Sequence, residues 1–198
     1  MLANTTLLRI LGACFYYSPQ SSTLKNIIPV LPELAELNNW PDSLIINSLL
    51  QSIGQYTPEQ LSYDFSVLFE GQGEMPAPPW GSVYLDHENI VMGESTLLYR
   101  EFLASHGLVS NSYLNEPEDQ FGLMLLAITA LYEQNKPDAV LTLLEQHLLP
   151  WVYRYLTLVE MSNVENTFYP QLATITKIYL AQLQQQLNIT PLTVELFR

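Results

Sequence analysis

The stretch Thr57-Pro-Glu-Gln-Leu-Ser-Tyr-Asp-Phe-Ser-Val-Leu-Phe69 contains the clearest helix start in the chain. Threonine is a preferred N-cap residue, proline is favoured at the first helical position, and a glutamine three residues after the cap completes a capping box. Leu61, Phe65 and Phe69 then recur every four positions, which is the spacing of one face of an α-helix. The stretch therefore predicts an amphipathic helix, which Gly71 ends.

The same helical spacing recurs on both sides of this stretch. It predicts further helices over residues 4–17, 42–53, 95–105, 116–134, 138–147, 150 onward and 167–187. In the helix over 42–53, the apolar residues expected to share one face are Leu44, Ile45, Leu49 and Ile53.

Interruptions of the helical pattern are few. Pro29 and Pro32 should keep the helical stretch around them short or broken. Only residues 82–85 and 89–92 carry a strand signal, and each run is too short to found a sheet. The chain has no repeat period and no low-complexity linker. The predicted fold class is therefore all-α, a helical bundle with one long proline-rich loop, forming a single domain over residues 1–198.

Charge limits the classes of partner. Twenty acidic and seven basic residues give a formal net charge of −13. This charge repels nucleic acid phosphates and anionic membrane surfaces and favours cationic partners. The N-terminus lacks the basic stretch of a secretory signal, and the longest apolar run, residues 121–132, is shorter than the ~20 residues of a membrane span. We therefore expect neither nucleic-acid binding nor membrane insertion, and a chain that stays where it is made.

Motifs for catalysis are missing from the sequence. It contains no phosphate-binding loop, nucleophile elbow, Cys-x-x-Cys pair or dinucleotide fingerprint, and its three histidines lack metal-ligand spacing. Cys14 lies in an apolar run with no adjacent basic residue, so it is expected to be a small core residue rather than a nucleophile. No catalytic residue, metal ligand or cofactor is predicted.

The proline-rich loop is the first segment with functional potential. In Pro76-Ala-Pro-Pro-Trp-Gly-Ser-Val-Tyr-Leu-Asp86, Trp80 could seal the loop onto the core, or it could form the aromatic wall of a groove for an apolar or basic peptide. Trp151 is expected to be core. Asp86 and His87 could form a proton-transfer pair, although a turn is the simpler interpretation because adjacent side chains point apart.

The second segment is acidic. Glu116, Glu118 and Asp119 are predicted to lie in the first turn of a helix beside Pro117, where carboxylates interact favourably with the helix dipole. The alternative is a carboxylate cluster that binds a guanidinium, an ammonium or a metal ion. A metal is the weaker version because all three carboxylates are close in sequence.

Three motifs in this order resemble the TorD/DmsD family of redox-enzyme maturation chaperones, closest to its DmsD branch. They are Pro78-Pro-Trp-Gly-Ser-Val-Tyr-Leu-Asp86, Glu116-Pro-Glu-Asp-Gln-Phe-Gly122 and Leu196-Phe-Arg198. The resemblance implies an all-helical cytoplasmic chaperone that binds the twin-arginine signal peptide of a molybdopterin oxidoreductase, typically the catalytic subunit of dimethyl sulfoxide reductase. It would delay export until the cofactor is inserted. The twin-arginine translocase is a further candidate partner.

The resemblance also identifies candidate signal-peptide-binding residues: Pro79, Trp80, Gly81, Ser82, Val83, Tyr84, Leu85, Asp86, Glu116, Pro117, Glu118, Asp119 and Gln120. We expect the two segments to face each other across one groove, with carboxylates for the arginines and apolar surface for the stretch that follows them. Gln120 stands where the family motif usually has histidine, which removes a titratable group.

Two other functions remain open at this point. The carboxylates at 116–119 could serve a metal- or nucleotide-dependent hydrolase, although no glycine-rich phosphate loop accompanies them. Alternatively, the chain could be a structural helical adaptor, in which case replacing Trp80 would destabilise the fold without altering any binding.

Overall fold

The computed structural model describes residues 4–71, 73–108 and 116–198, and within these ranges the chain is helical and contains no strand. The α-helices are α1 Thr5–Tyr16, α2 Ser22–Ile27, α3 Ser43–Ile53, α4 Pro58–Phe69, α5 Ser82–Leu85, α6 Glu94–Ser105, α7 Phe121–Glu133, α8 Pro137–Thr142, α9 Leu149–Glu160 and α10 Phe168–Gln186. A 3-10 segment, Ile28–Glu36, follows α2, and a π-helical segment, Leu143–Leu148, joins α8 to α9. The predicted all-α class is confirmed.

Local capping explains where several helices begin. The Leu7 N–H donates to Asn4 Oδ1 at 3.1 Å at the start of α1, and the Ile45 N–H donates to Asp42 Oδ1 at 3.1 Å at the start of α3. At α4 the Thr57 N–H donates to Gln60 Oε1 at 2.8 Å, as the capping box predicts. These contacts satisfy amide groups that a helix leaves without partners in its first turn.

Two glycines set the packing of the most apolar helix, α7, against α1. A Cβ atom on Gly12 would lie 2.9 Å from the Gly122 carbonyl oxygen, and one on Gly122 would lie 2.6 Å from the Gly12 carbonyl oxygen. Neither distance is tolerated by a real side chain, so the close approach of α1 and α7 requires glycine at both positions.

An aromatic cluster fills the core beside this crossing. The rings of Phe15 and Phe121 have centroids 4.9 Å apart, and Trp151 stacks on Tyr84 with centroids 5.3 Å apart. Trp151 is fully buried, which confirms its predicted core position. Cys14 is also buried, and this burial raises the pKa of its thiol to about 12, as expected for an inert core cysteine.

One sequence prediction about local structure, the buried face of α3, was wrong. In α3 the buried side chains are Ile46, Leu50 and Ile53, whereas Leu44 and Ile45 are 81% and 53% exposed. The helix packs on the 3-10 segment and on α10, and these neighbours cover the stripe that contains Ile46 rather than the one that contains Leu44. Residues 82–85, whose strand signal was too short to found a sheet, form the short helix α5.

The proline-containing segment behaves as predicted. Helix α2 ends at Ile27, and Pro29 and Pro32 both lie in the 3-10 segment, since a proline removes an amide donor from a longer α-helix. None of the helices in the described ranges combines the length and apolar character that a bilayer crossing requires.

Candidate functional site

The two segments that the sequence singled out lie against each other. Trp80 and Gln120 form an isolated antiparallel bridge. The Gly81 N–H donates to the Asp119 carbonyl oxygen at 3.2 Å, and the Phe121 N–H donates to the Pro79 carbonyl oxygen at 2.7 Å. The proline-rich loop is therefore anchored directly to the residues that precede α7.

Asp119 is the acidic residue at the centre of this junction. Its side chain is 3% exposed, and its Oδ2 accepts hydrogen bonds from the Ser82 N–H at 2.8 Å and from Thr96 Oγ1 at 3.0 Å. Its Oδ1 has no hydrogen-bond partner among the described residues. Burial raises the pKa of Asp119, and the hydrogen bonds from Ser82 and Thr96 oppose that rise.

Trp80 and Glu116 form a second link between the segments. The Trp80 Nε1–H donates to Glu116 Oε1 at 2.6 Å, and both side chains are half-buried. Burial raises the pKa of Glu116, while the hydrogen bond from Trp80 acts in the opposite direction. Trp80 packs against the edge of the core and is only partly buried, which agrees with the interpretation that it seals the loop onto the core; its role as the aromatic wall of a peptide groove stays a prediction.

Glu118 faces a different partner. It accepts two hydrogen bonds from Arg100 of α6, one from Nε at 3.0 Å and one from a terminal guanidinium nitrogen at 2.7 Å. Burial raises the pKa of Glu118, but the hydrogen bonds and charge of Arg100 outweigh this and leave the pKa lowered. The geometry is the two-point pairing that planar guanidinium groups form with carboxylates.

The predicted place of the acidic residues in the first turn of a helix was wrong. Helix α7 begins at Phe121, and its N-cap is Gln120, whose Oε1 accepts from the Leu123 N–H at 2.9 Å. Gln120 Nε2 also donates to the Phe15 carbonyl oxygen of α1 at 2.9 Å. The bridge to Trp80 keeps Gln120 extended, so Glu116, Glu118 and Asp119 precede the helix.

The remaining loop residues hold the loop to the core. Pro79, Ser82, Val83 and Tyr84 are buried, and the Tyr84 hydroxyl donates to the Pro78 carbonyl oxygen at 2.9 Å. Gly81 approaches Trp151 so closely that a Cβ atom would lie 3.0 Å from Trp151 Nε1. Pro117 is likewise buried.

Asp86 ends α5 and supports the start of α6. It accepts hydrogen bonds from the Ser95 N–H at 3.2 Å and from Ser95 Oγ at 2.9 Å. His87 packs instead against the ring of Phe197, with centroids 5.4 Å apart. The turn predicted for this pair is therefore present, and Asp86 is engaged with α6.

A cavity of about 300 Å³ opens beside Asp119, between α5, α6 and the chain that follows α10. Its acidic lining residues are Asp86, Glu94 and Asp119. Its apolar lining residues are Leu85, Leu98, Met124, Leu192 and Val194. Within the described ranges no lysine or arginine lines it. The cavity is therefore suited to a cationic group carried next to apolar chain.

Tyr99 and His147 also line the cavity, and His147 brings no positive charge to it at neutral pH. Burial lowers the pKa of His147 to about 4, so the imidazole is neutral near pH 7. Burial and then the nearby charge of Asp119 raise the pKa of Tyr99, whose hydroxyl has no hydrogen-bond partner among the described residues.

The sequence did not identify Tyr99, Met124, His147, Leu192 or Val194 as site residues. Tyr99 and Met124 lie on amphipathic helices, where aromatic and apolar side chains are usually core. Leu192, Val194 and Leu196 do alternate along the chain, a period of two that indicates an extended segment with one apolar face. No group of three or more histidine, cysteine, aspartate or glutamate side chains is placed to hold a metal ion in the part of the chain that the structure describes.

Comparison with known proteins identifies relatives over most of the chain. A family model for the nitrate reductase delta subunit matches residues 35–156, a range that includes both segments of the site. The DmsD protein of Haemophilus influenzae is 35% identical over 194 residues, covering 96% of this chain and 94% of that protein. The Tat proofreading chaperone DmsD of Salmonella typhimurium is 36% identical over 191 residues, covering 96% of this chain and 93% of that protein.

A solved structure shares the fold. A redox enzyme maturation protein from Archaeoglobus fulgidus superimposes with a TM-score of 0.62 at 20% identity, covering 91% of this chain and 96% of that one. The identity is too low to carry more than the fold. The sequence relatives and the family model carry the assignment: the chain belongs to the TorD/DmsD family of redox-enzyme maturation chaperones.

Proposed function

We propose that this chain is a cytoplasmic proofreading chaperone, not an enzyme, that binds the twin-arginine signal peptide of a molybdopterin oxidoreductase. The catalytic subunit of a dimethyl sulfoxide reductase is the first candidate client. Binding would delay export until the client has received its cofactor and folded, with the twin-arginine translocase as a further partner. Its relatives are named Tat proofreading chaperones, which supports this class of function.

The observation that carries the proposal is the unpaired oxygen of Asp119 beside an acidic cavity. Oδ2 of this carboxylate is occupied by Ser82 and Thr96, whereas Oδ1 has no partner within the described ranges. A guanidinium that entered the cavity could donate to Oδ1 without breaking either existing hydrogen bond. A charge-assisted contact of this kind contributes about 1.5–3 kcal/mol.

The surroundings suit the apolar stretch that follows the two arginines in a leader. Leu85, Leu98 and Met124 line the cavity, and Trp80 lies at the junction that holds Asp119 in place. Trp80 does not line the cavity itself; its partly exposed ring would contact the leader at the surface of this junction, where an aromatic side chain can bind both an apolar chain and a cation. The net charge of −13 should accelerate encounter with a basic leader, and added salt should weaken that effect.

The test is a titration of the purified protein with a synthetic twin-arginine leader from a dimethyl sulfoxide reductase catalytic subunit. A copy of the leader with both arginines replaced by alanine is the matched control. The proposal predicts binding in the micromolar range or tighter that weakens in salt and on loss of the arginines. Equal affinity for both peptides, or no binding to either, would contradict it.

The structural-adaptor alternative makes a different prediction. It expects neither leader to bind and expects replacement of Trp80 to affect only the free energy of unfolding. The same titration, with a thermal unfolding measurement on Trp80→Phe, therefore distinguishes the two functions.

A further inference from the structure

Residues 189–198, which follow α10 and which we call the strap, run along the cavity as an extended segment, with Leu192 and Val194 among the lining residues. The Leu192 N–H donates to the Glu145 carbonyl oxygen at 2.9 Å, and the Phe197 N–H donates to the Tyr84 carbonyl oxygen at 2.9 Å. The strap thereby runs from the π-helical segment to α5. Extended peptides that bind to protein surfaces are often held by main-chain hydrogen bonds, and these two bonds hold the strap in a comparable way.

The side chains of the strap are weakly held. Leu192 and Val194 line the cavity, yet they are 54% and 37% exposed. Leu196, the next residue in the alternation, packs partly against the core. No residue of the strap is fully buried. Because apolar burial is the main source of stability, a segment with so little of it opens more easily than the helices beneath it.

The strap also carries a guanidinium. Arg198 donates to the Met75 carbonyl oxygen at 2.8 Å, and its own carbonyl oxygen accepts from Arg154 Nε at 3.1 Å. The guanidinium therefore lies at the proline-rich loop and is bonded there to a neutral carbonyl. The strap thus combines alternating apolar residues with one arginine, which is part of the chemistry of the leader that the proposed function assigns to this region, although Glu195 adds a negative charge that such a leader does not need.

Two buried polar atoms of residues that line the same cavity lack hydrogen-bond partners in the described part of the chain. Asp119 Oδ1 and the Tyr99 hydroxyl both belong to residues that line the cavity, and neither has a hydrogen-bond partner among the described residues. Buried polar atoms without partners are unfavourable, so an occupant that supplies donors to them is favoured over the strap, which supplies none.

We propose that the strap is an internal competitor of the leader: it covers the cavity in the free protein and is displaced when the leader binds. This inference rests on the proposed function and describes the regulation of the same site. Internal competition reduces the apparent affinity to the intrinsic affinity multiplied by the fraction of molecules in which the strap is open, so only a leader that engages the cavity fully is retained.

The first arm of the test is amide hydrogen exchange on the full chain, with and without the twin-arginine leader. The Leu192 and Phe197 amides are protected by their hydrogen bonds in the free protein. If the leader displaces the strap, the Leu192 and Phe197 amides should exchange faster in the presence of leader, while the exchange rates of amides in the middle of α7 should not change. Slower exchange at Leu192 and Phe197 would mean that the strap closes over the leader, which would overturn the proposal.

The second arm loosens the strap by substitution. Phe197→Ala removes the ring contact with His87, and Arg198→Ala removes the bond to the Met75 carbonyl oxygen. The double variant should bind the leader about threefold tighter or more, because the closed competing state is less populated. Met161→Ala, at an exposed apolar residue that follows α9, is the matched control and should leave the affinity unchanged.

The outcomes separate the two proposals. Weaker or unchanged leader binding by the double variant, with normal binding by the wild type, would contradict the strap proposal and leave the proposed function standing. Absence of leader binding by the wild type, the double variant and the Met161→Ala control would contradict the proposed function itself.

Discussion

The Ser82 N–H donates to Oδ2 of Asp119 at 2.8 Å, so a carboxylate that precedes α7 holds the first amide of α5. The same oxygen accepts from Thr96 of α6. Oδ2 of Asp119 thus joins α5 and α6 to the segment that precedes α7, whereas Oδ1 has no hydrogen-bond partner among the described residues. Because the two oxygens of this carboxylate have different surroundings, substitutions at Asp119 can change leader affinity and the free energy of unfolding independently.

Asp119→Asn should impair binding and spare the fold. The amide oxygen can accept from both Ser82 and Thr96, while the amide nitrogen replaces the unpaired oxygen and repels a guanidinium. We expect the free energy of unfolding to change by less than about 1 kcal/mol, and leader affinity to fall about tenfold or more. Urea unfolding and leader titration measure the two quantities.

Asp119→Ala is the contrasting variant, because it removes both hydrogen bonds and leaves the Ser82 N–H without its acceptor. It should cost about 1–3 kcal/mol of stability. If Asp119→Asn destabilised the protein as much as Asp119→Ala, the assignment of separate tasks to the two oxygens would be wrong.

Leader affinity should fall on acidification at a higher pH than an ordinary aspartate would give. Burial raises the pKa of Asp119, so this carboxyl takes up a proton earlier and loses its attraction for a guanidinium. The effect on folding stability runs the other way. Because the pKa of Asp119 is higher in the folded protein than in the unfolded chain, protonation of this carboxyl on acidification favours the folded state. Titrations across acidic pH should show an affinity loss in the wild type that is smaller in Asp119→Asn.

His147 should make the fold less stable in acid. Burial lowers its pKa from the ordinary 6.5 to about 4. Between these values the unfolded chain binds a proton that the folded chain does not, so the stability that this residue contributes is present above about pH 6.5 and is lost towards pH 4. His147→Gln, which stays neutral, should show a shallower decline of unfolding free energy. An identical decline in both proteins would contradict the burial argument.

Gly122→Ala should disrupt the crossing of α1 and α7. The new Cβ would lie 2.6 Å from the Gly12 carbonyl oxygen, which is backbone and cannot move aside alone. Overpacking of this kind costs about 1–3 kcal/mol or more. Gly107→Ala is the comparison, since Gly107 has a φ of +70° and open space around it, so only backbone strain of about 1–2 kcal/mol is added. Thermal unfolding should rank Gly122→Ala as the more damaging change.

Local sequence signals were sufficient for most helix positions. Asn4, Asp42 and Thr57 begin helices as their capping chemistry predicts, because a cap is a contact between residues three positions apart. The proline-rich loop and the acidic segment were expected to face each other across one groove; the structure instead brings them into direct contact through the bridge between Trp80 and Gln120, and the cavity lies beside that junction.

The features that local sequence patterns did not predict depend on contacts between residues that are far apart in the chain. Glu116 and Pro117 resemble a helix start, but the bridge to Trp80 delays α7 until Phe121. In α3 two apolar stripes compete, and only the position of the neighbouring helices determines that Ile46 is buried and Leu44 is not. The cavity wall supplied by Leu192 and Val194 comes from residues more than seventy positions after Asp119, with no local signal that joins them.

The most direct test of the account is a double-mutant cycle between Asp119 and the arginines of the leader. The wild type and Asp119→Asn are each titrated with the twin-arginine leader and with its double-alanine copy. We predict that Asp119→Asn weakens binding of the arginine leader about tenfold or more, equivalent to about 1.4 kcal/mol, and hardly affects binding of the alanine copy. An equal loss with both peptides would show that Asp119 does not receive the arginines and would contradict the central claim.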